Sequence, residues 1–166
     1  TDHLFGGNPA AVCPLTAWLP EAKMQQLAAE NNLAETAFFI PQGENYDLRW
    51  FTPELEIDLC GHATLATAHI IFTQLGETRK IIHFNTQKAG ILTVSRNDDS
   101  YTLDFPSRIA SPTTLPEGLL EALGGPAPLE VYQSRDYMLV YETEAQVAAL
   151  RPDFPALAKL PIMGVI

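Results

Sequence analysis

The residues best placed to do chemistry lie close together in the run Asp58-Leu59-Cys60-Gly61-His62. A carboxylate, a thiol and an imidazole in so short a segment can bind a polar ligand and move protons. Gly61 lets that ligand approach the backbone closely. The stretch that follows, from His62 to Gly76, carries no Lys, Arg, Asp or Glu and reads as a helix. Free N–H groups and the positive end of the dipole gather at a helix start, which makes it an anion site. A substrate carboxylate could therefore sit at Gly61, flanked by Cys60 and His62. A plainer reading fits the same residues: Gly61 permits a turn, Cys60 is a small buried apolar group, and His62 is a first-turn residue with a satisfied ring.

A second candidate is Glu35, within Leu33-Ala34-Glu35-Thr36-Ala37-Phe38-Phe39-Ile40. Apolar and aromatic neighbours desolvate a carboxylate, a condition that suits it to general acid–base work. The alternative is an exposed Glu at a strand edge. A zinc site from Cys60, His62 and His69 is conceivable, but a Cys-x-His spacing is not a usual zinc clip. No metal is expected.

Bulk composition narrows the function classes. The chain has 166 residues, 46% of them hydrophobic, so a core is within reach and disorder is not expected. The net charge of −10 argues against nucleic-acid or anionic-membrane partners, which need basic patches. A small anionic ligand needs only one local site. The helix after Cys60, about 14 residues long, is shorter than the ~20 that span a bilayer. Cys13 and Cys60 show no disulfide framework, so free thiols and a cytoplasmic location are expected. The chain opens on Thr1 rather than Met and stops in an apolar strand, which reads as a fragment.

The elements that must position these groups follow from pattern. Residues 1–9 form a loop, with Phe5-Gly6-Gly7-Asn8-Pro9 as a flexible turn or a backbone cradle near a ligand. Ala10–Cys13 is a short strand. A helix begins at Pro20 and closes at Asn31-Asn32, with Ala22, Met24, Leu27 and Ala28 as its apolar stripe. Thr36–Ile40 and Tyr46–Thr52 pair as antiparallel strands around a turn at 41–45. Residues 53–56 turn the chain toward the central helix, which is apolar almost all round and so reads as buried. Gly76 ends it in the left-handed conformation. Strands follow at 80–84, 90–95 and 101–105, with Asn97-Asp98-Asp99 as a hairpin turn. The first ~105 residues thus read as a meander of strands wrapped around one helix. Pro106–Pro116 is a linker. Beyond it come a short helix at 117–123, strands at 130–132 and 137–141, a helix at 143–150 capped by Thr143, a loop and short helix at 152–161, and a strand at 162–166.

Three segments, FGGNPAAV, NNLAETAFF and RWFTPELEIDLCGHATLATAH, together resemble the phenazine-biosynthesis PhzF-like isomerase family. The resemblance covers the first 105 residues closely and continues more loosely to the end. It implies an α+β fold of the diaminopimelate epimerase type, with strands wrapped around a central buried helix. The chain would hold the first half, residues 1–106 without its first strand, a linker at 107–116, and the beginning of a second half at 117–166. In that fold the active site lies in the cleft between two such halves. A glycine-rich EDPVTGSA-like motif belongs to the second half, and this sequence has none of it. The resemblance therefore implies that this chain alone has an incomplete active site.

Residue by residue, the resemblance makes Glu35 the general acid/base and places His62 in the substrate site. Asn8 matches the GNP motif, whose backbone lines the cleft. Gly61 and the amides after it, beginning with Ala63, match the helix end that can hold the substrate carboxylate beside Cys60. The implied chemistry is a cofactor-independent shift of a proton between carbon atoms of a small carboxylate-bearing substrate. A homodimer is implied as well. Two other readings stay open: a cysteine-based racemase or epimerase using Cys60, and a non-catalytic fragment or binding module. Cys13, after Ala10-Ala11-Val12, reads as core rather than as a second catalytic thiol.

Overall fold

The computed structural model describes residues 3–98 and 100–166. Thr1, Asp2 and Asp99 lie outside the described residues, and with them the start of the expected loop and one residue of the expected 97–99 turn. The chain divides into two compact units, Thr1–Pro106 and Ser107–Ile166.

The first unit is an α+β structure. Its seven strands are β1 (Ala10–Pro14), β2 (Glu35–Gln42), β3 (Asn45–Phe51), β4 (Glu56–Ile57), β5 (Ile81–Asn85), β6 (Ile91–Asn97) and β7 (Ser100–Asp104). They form one sheet in the order β1-β2-β3-β5-β6-β7, and β4 pairs back on β3. Two helices belong to it, α1 (Glu21–Asn31) and α2 (Gly61–Gln74). Strands β1 and β2 pair in parallel, as do β3 and β5. The sheet is therefore not the plain meander that the strand pattern suggests. In both cases a helix lies in the connection, and a crossover of that kind returns the chain in the same direction.

Helix α2 touches β1 and β2 near one end of the strand order and β7 at the other. A sheet can reach one helix from both ends only by curling around it. The cluster between α2 and the sheet includes Ala37, Phe39, Leu48, Trp50, Ala63, Ala68, Ile71, Phe72, Ile82 and Phe84. On the other face of the sheet, α1 packs Met24 and Ala28 onto Phe38 and Phe51, joined by Cys13 and Trp18. The period-two alternation of a strand explains the split. In β2, Ala37 and Phe39 face α2 while Phe38 faces α1.

Along α2 the buried residues are Ala63, Thr64, Thr67, Ala68, Ile71 and Phe72. Gly61, Leu65, His69 and Thr73 are exposed within this unit. The helix is thus buried toward the sheet and open along one stripe, where the composition suggested burial on every side. Two threonines lie on its buried face because their hydroxyls bond within the helix. Thr64 Oγ1 donates to the Cys60 carbonyl at 2.6 Å and Thr67 Oγ1 to that of Ala63 at 2.8 Å. Gly76 takes the expected left-handed conformation, at φ 73°, just past the helix.

The second unit holds a three-stranded sheet in the order β10-β9-β8, from β8 (Ser111–Pro112), β9 (Glu130–Gln133) and β10 (Tyr137–Val140). Strand β8 falls inside the stretch that composition marked as linker, since Pro at a strand edge need not donate to a ladder. Helices α3 (Leu119–Leu123), α4 (Glu144–Ala149) and α5 (Phe154–Leu157) complete it. Thr143 caps α4 through a reciprocal capping box with Gln146. Where a strand was expected at 162–166, the segment forms a parallel bridge of Val165 with Tyr137, with backbone bonds from Tyr137 N–H to Gly164, Ile166 N–H to Tyr137 and Leu139 N–H to Ile166.

Candidate functional site

Glu35 is the first residue of β2 and pairs with Ala10 of β1. Counting by two, it belongs to the same strand face as Ala37 and Phe39, which face α2. Its carboxylate therefore reaches the start of that helix, although 27 residues separate it from His62 in the chain. Glu35 Oε2 lies 2.8 Å from His62 Nε2, with side chains 16% and 31% exposed. Both atoms are buried, and their orientation does not make the contact a hydrogen bond. The other ring nitrogen, His62 Nδ1, lies 3.5 Å from Cys60 Sγ. Thiol, imidazole and carboxylate thus form one connected group.

Cys60 is the N-cap of α2 and offers no side-chain cap to the first-turn amides. The first backbone bond of the helix runs from Thr64 N–H to the Cys60 carbonyl at 3.2 Å. Gly61, His62 and Ala63 precede it, and their N–H groups have no acceptor within the helix. Helix starts of this kind attract anions, and here the amides of Ala63 and His62 also act on the Cys60 sulfur. Gly61 is exposed, and a methyl added there would stand 3.6 Å from Phe105 Cε2. Ala63 is fully buried, backbone included, so it packs in the core and presents nothing to a ligand in this structure, contrary to the expected substrate-binding role.

Burial pushes the Cys60 thiol up to about 11, and the Glu35 carboxylate adds to the rise while the backbone amides of Ala63 and His62 oppose it. At neutral pH the sulfur is a protonated, buried thiol. It is poorly suited to take a proton from carbon.

The site residues read from sequence fall into two groups. Glu35, Cys60, Gly61, His62 and Ala63 meet at the start of α2. Asn8 lies in the exposed loop that enters β1, two residues before the partner of Glu35. In this loop the left-handed conformation falls on Phe5, at φ 62°, rather than on a glycine. His69 stands apart, its Nδ1 3.1 Å from the Tyr101 hydroxyl.

Sequence reasoning missed the support beneath the site. Arg49 of β3 donates to both carboxylate oxygens of Glu56 in β4, at 2.7 and 2.6 Å, just before the chain enters Asp58–Cys60. It also donates to Glu21 of α1 at 2.9 Å. A cation beside an acidic β-turn was visible in the sequence as R49 and E56. Their pairing depends on β4 folding back, which two residues of strand cannot announce.

Comparison with known proteins gives a consistent answer. The chain matches the phenazine biosynthesis-like protein family, PhzC-PhzF, over residues 1–166. It is 50% identical over 164 residues to a Pseudomonas aeruginosa protein named an uncharacterised isomerase, covering 99% of this chain and 62% of that one. A crystal structure of a PhzF-family phenazine biosynthesis protein from Enterococcus faecalis superposes with a TM-score of 0.88 at 46% identity, over 98% of this chain and 62% of that one. A predicted epimerase from Pseudomonas aeruginosa shares the fold at 23% identity, with a TM-score of 0.64 over 96% of this chain and 63% of that one. The chain thus spans about 62% of the length of the first relatives it matches. Its fold is of the diaminopimelate epimerase type. Among the described residues no helix is long and apolar enough to cross a membrane.

Proposed function

The chain belongs to the phenazine biosynthesis-like, PhzF family, and from that premise we propose that it forms one wall of an isomerase active site. Glu35 is the general acid/base. It takes a proton from one carbon of a small carboxylate-bearing substrate and returns it to another, without a cofactor. His62 orients the Glu35 carboxyl or stabilises charge that develops on the substrate. The substrate carboxylate rests on the amides of Gly61 and His62, and the backbone at Asn8 lines the same cleft. Residues 117–166 begin the second half, the other wall comes from further chain of the kind the longer relatives carry, and the working molecule is a cytoplasmic homodimer.

The observation that carries this reading is the 2.8 Å approach of two buried, unaligned atoms, Glu35 Oε2 and His62 Nε2, at a helix start without a side-chain cap. A carboxylate so placed is free to turn toward a bound carbon acid. The cysteine-based alternative is weakened by the burial that keeps the Cys60 thiol protonated.

The test is proton exchange in deuterated water on a panel of small unsaturated and 2-amino carboxylates, with Glu35→Gln and Cys60→Ala beside the parent protein. General acid–base catalysis contributes about 10²–10⁴-fold, so Glu35→Gln should lose that much. Full exchange in Glu35→Gln, with loss in Cys60→Ala, moves the base to the thiol. The assay is run on protein carrying both walls, and absence of exchange there across the panel favours a binding role.

A further inference from the structure

The group at the start of α2 has a second chemistry. Glu35, Cys60 and His62 each offer one ligand atom, and the three atoms lie within 4.8 Å of one another. Carboxylate, thiolate and imidazole are the ligand types that hold Zn²⁺ and similar ions. The Cys60-x-His62 spacing is not a usual zinc clip, so the site must rest on a third ligand brought in from elsewhere in the fold. The structure sends His69 to Tyr101 and puts Glu35 in its place. Two of the three donors, Glu35 Oε2 and His62 Nε2, are buried 2.8 Å apart with no aligned hydrogen bond to either. A tetrahedral ion with bonds of about 2.0–2.3 Å needs its ligand atoms about 3.3–3.8 Å apart. The 2.8 Å contact of Glu35 Oε2 with His62 Nε2 must open by about 0.5 Å to reach that spacing, and Cys60 Sγ, within 4.8 Å of the other ligand atoms, must close on them by up to about 1.5 Å.

We propose that Glu35, Cys60 and His62 form a three-ligand site for a thiophilic divalent cation of the Zn²⁺ class, and that its occupancy switches the isomerase off. Binding exchanges the Cys60 thiol proton for a metal–sulfur bond and releases that proton to solvent; no electron is transferred. The bound ion occupies the Glu35 carboxylate and so removes the base. The inhibitory consequence rests on the function proposed above; the metal site itself does not.

The experiment is a Co²⁺ titration of chelator-treated protein, followed by absorbance. One equivalent per chain should give a thiolate-to-cobalt charge-transfer band in the near ultraviolet and tetrahedral bands in the visible, both abolished by Zn²⁺. Cys13→Ala should keep the bands and Cys60→Ala should lose them. Glu35→Gln and His62→Ala should each weaken binding at least about tenfold, no less than loss of a supporting outer-shell group. A parent protein that shows only the weak spectrum of hydrated Co²⁺ overturns the site, whatever the variants do. Retention of the bands at unchanged affinity in Glu35→Gln and His62→Ala overturns it as well. Proton exchange that persists with the site filled by Zn²⁺ overturns the inhibitory role. Absence of exchange in metal-free protein that carries both walls refutes the isomerase reading instead, and leaves the absorbance result standing.

Discussion

Arg49→Met tests the idea that a buried ion pair holds the segment delivering Cys60 and His62. The Arg49 side chain is 10% exposed, and its two partners differ sharply: Glu56 is 19% exposed and Glu21 69%. Glu56 receives two bonds, at 2.7 and 2.6 Å, and Glu21 one at 2.9 Å. The guanidinium carbon also lies 5.6 Å from the Trp18 ring centre and 5.2 Å from that of Phe51. Removing one partner of a fully buried pair costs about 3–5 kcal/mol, and an exposed pair is worth about 0.2–1 kcal/mol. Partial exposure of Glu56 discounts the first figure to about 2–3 kcal/mol, Glu21 adds under about 1, and the ring contacts add about 0.5–1. The expected loss is about 3–4 kcal/mol, a fall in Tm of roughly 6–16 °C at roughly 2–4 °C per kcal/mol. The assay is thermal and urea unfolding of Arg49→Met, Glu56→Gln, Glu21→Gln and the two doubles. Coupling of Arg49 with Glu56 should reach about 2 kcal/mol, and with Glu21 stay below about 0.5. Equal coupling to both glutamates, or an Arg49→Met protein melting within about 2 °C of the parent, refutes the reasoning.

Cys60→Ala should keep proton exchange within about tenfold of the parent, because a thiol held at about 11 is no base at neutral pH; a hundredfold loss would give Cys60 the catalytic role. Gly61→Ala should fold as well as the parent, since the new methyl meets Phe105 at an ordinary 3.6 Å and alanine suits a helix better by about 0.5–1 kcal/mol. Its KM should rise with little change in kcat, as the methyl crowds the amides that bind the carboxylate, and an unchanged KM would move the carboxylate elsewhere. Arg79 holds the Glu77 carboxyl down at about 2, below its ordinary 4.5. A depressed carboxyl contributes stability above about 4.5 that disappears as the pH falls toward about 2. Arg79→Met raises the folded-state value, so its Tm should fall less between pH 6 and pH 3 than the parent's, and parallel curves would count against the pairing.

Residue pattern alone located most strands, both main helices and the Thr143 cap, because these rest on local signals: period two, helix-end glycine, and a hydroxyl three residues before Gln146. It could not show which way β1 runs beside β2, since direction depends on where α1 returns the chain. Apolar runs also hid the facing of β2. Ala37, Phe38 and Phe39 are all buried because this sheet has a core on both faces, so the alternation that aims Glu35 at α2 is masked. The open stripe on α2 was hidden for the opposite reason. Leu65 is exposed while Thr64 and Thr67 are fully buried with their hydroxyls bonded to carbonyls four residues back, which inverts the hydropathy rule. Cys60, Gly61 and His62 were legible as a group because they are neighbours in the chain. Glu35 was singled out by motif and by its apolar surroundings, but its meeting with His62 is a long-range event.

The register between β1 and β2 ties the two distant parts of the site together. Ala10 is the partner of Glu35, and Ala10, Val12, Ala37 and Phe39 all face the core shared with α2. A slip of β2 by one residue would turn Glu35 outward and bury Thr36 and Phe38 against α2 instead. Such a slip is opposed on the other face, where Phe38 packs edge-on against Phe51 at 5.6 Å and Asn31 of α1 donates to Thr36 Oγ1 at 3.1 Å. The aim of the carboxylate is therefore set by packing on the face of the sheet away from the site. The same register fixes the end of β1, and with it the backbone two residues upstream at Asn8. One strand pairing thus positions Glu35 and the loop beside it, while α2 supplies the amides and the imidazole. The cluster of Glu35, Cys60 and His62 assembled in this way depends on α1 and its apolar contacts as much as on its own three residues.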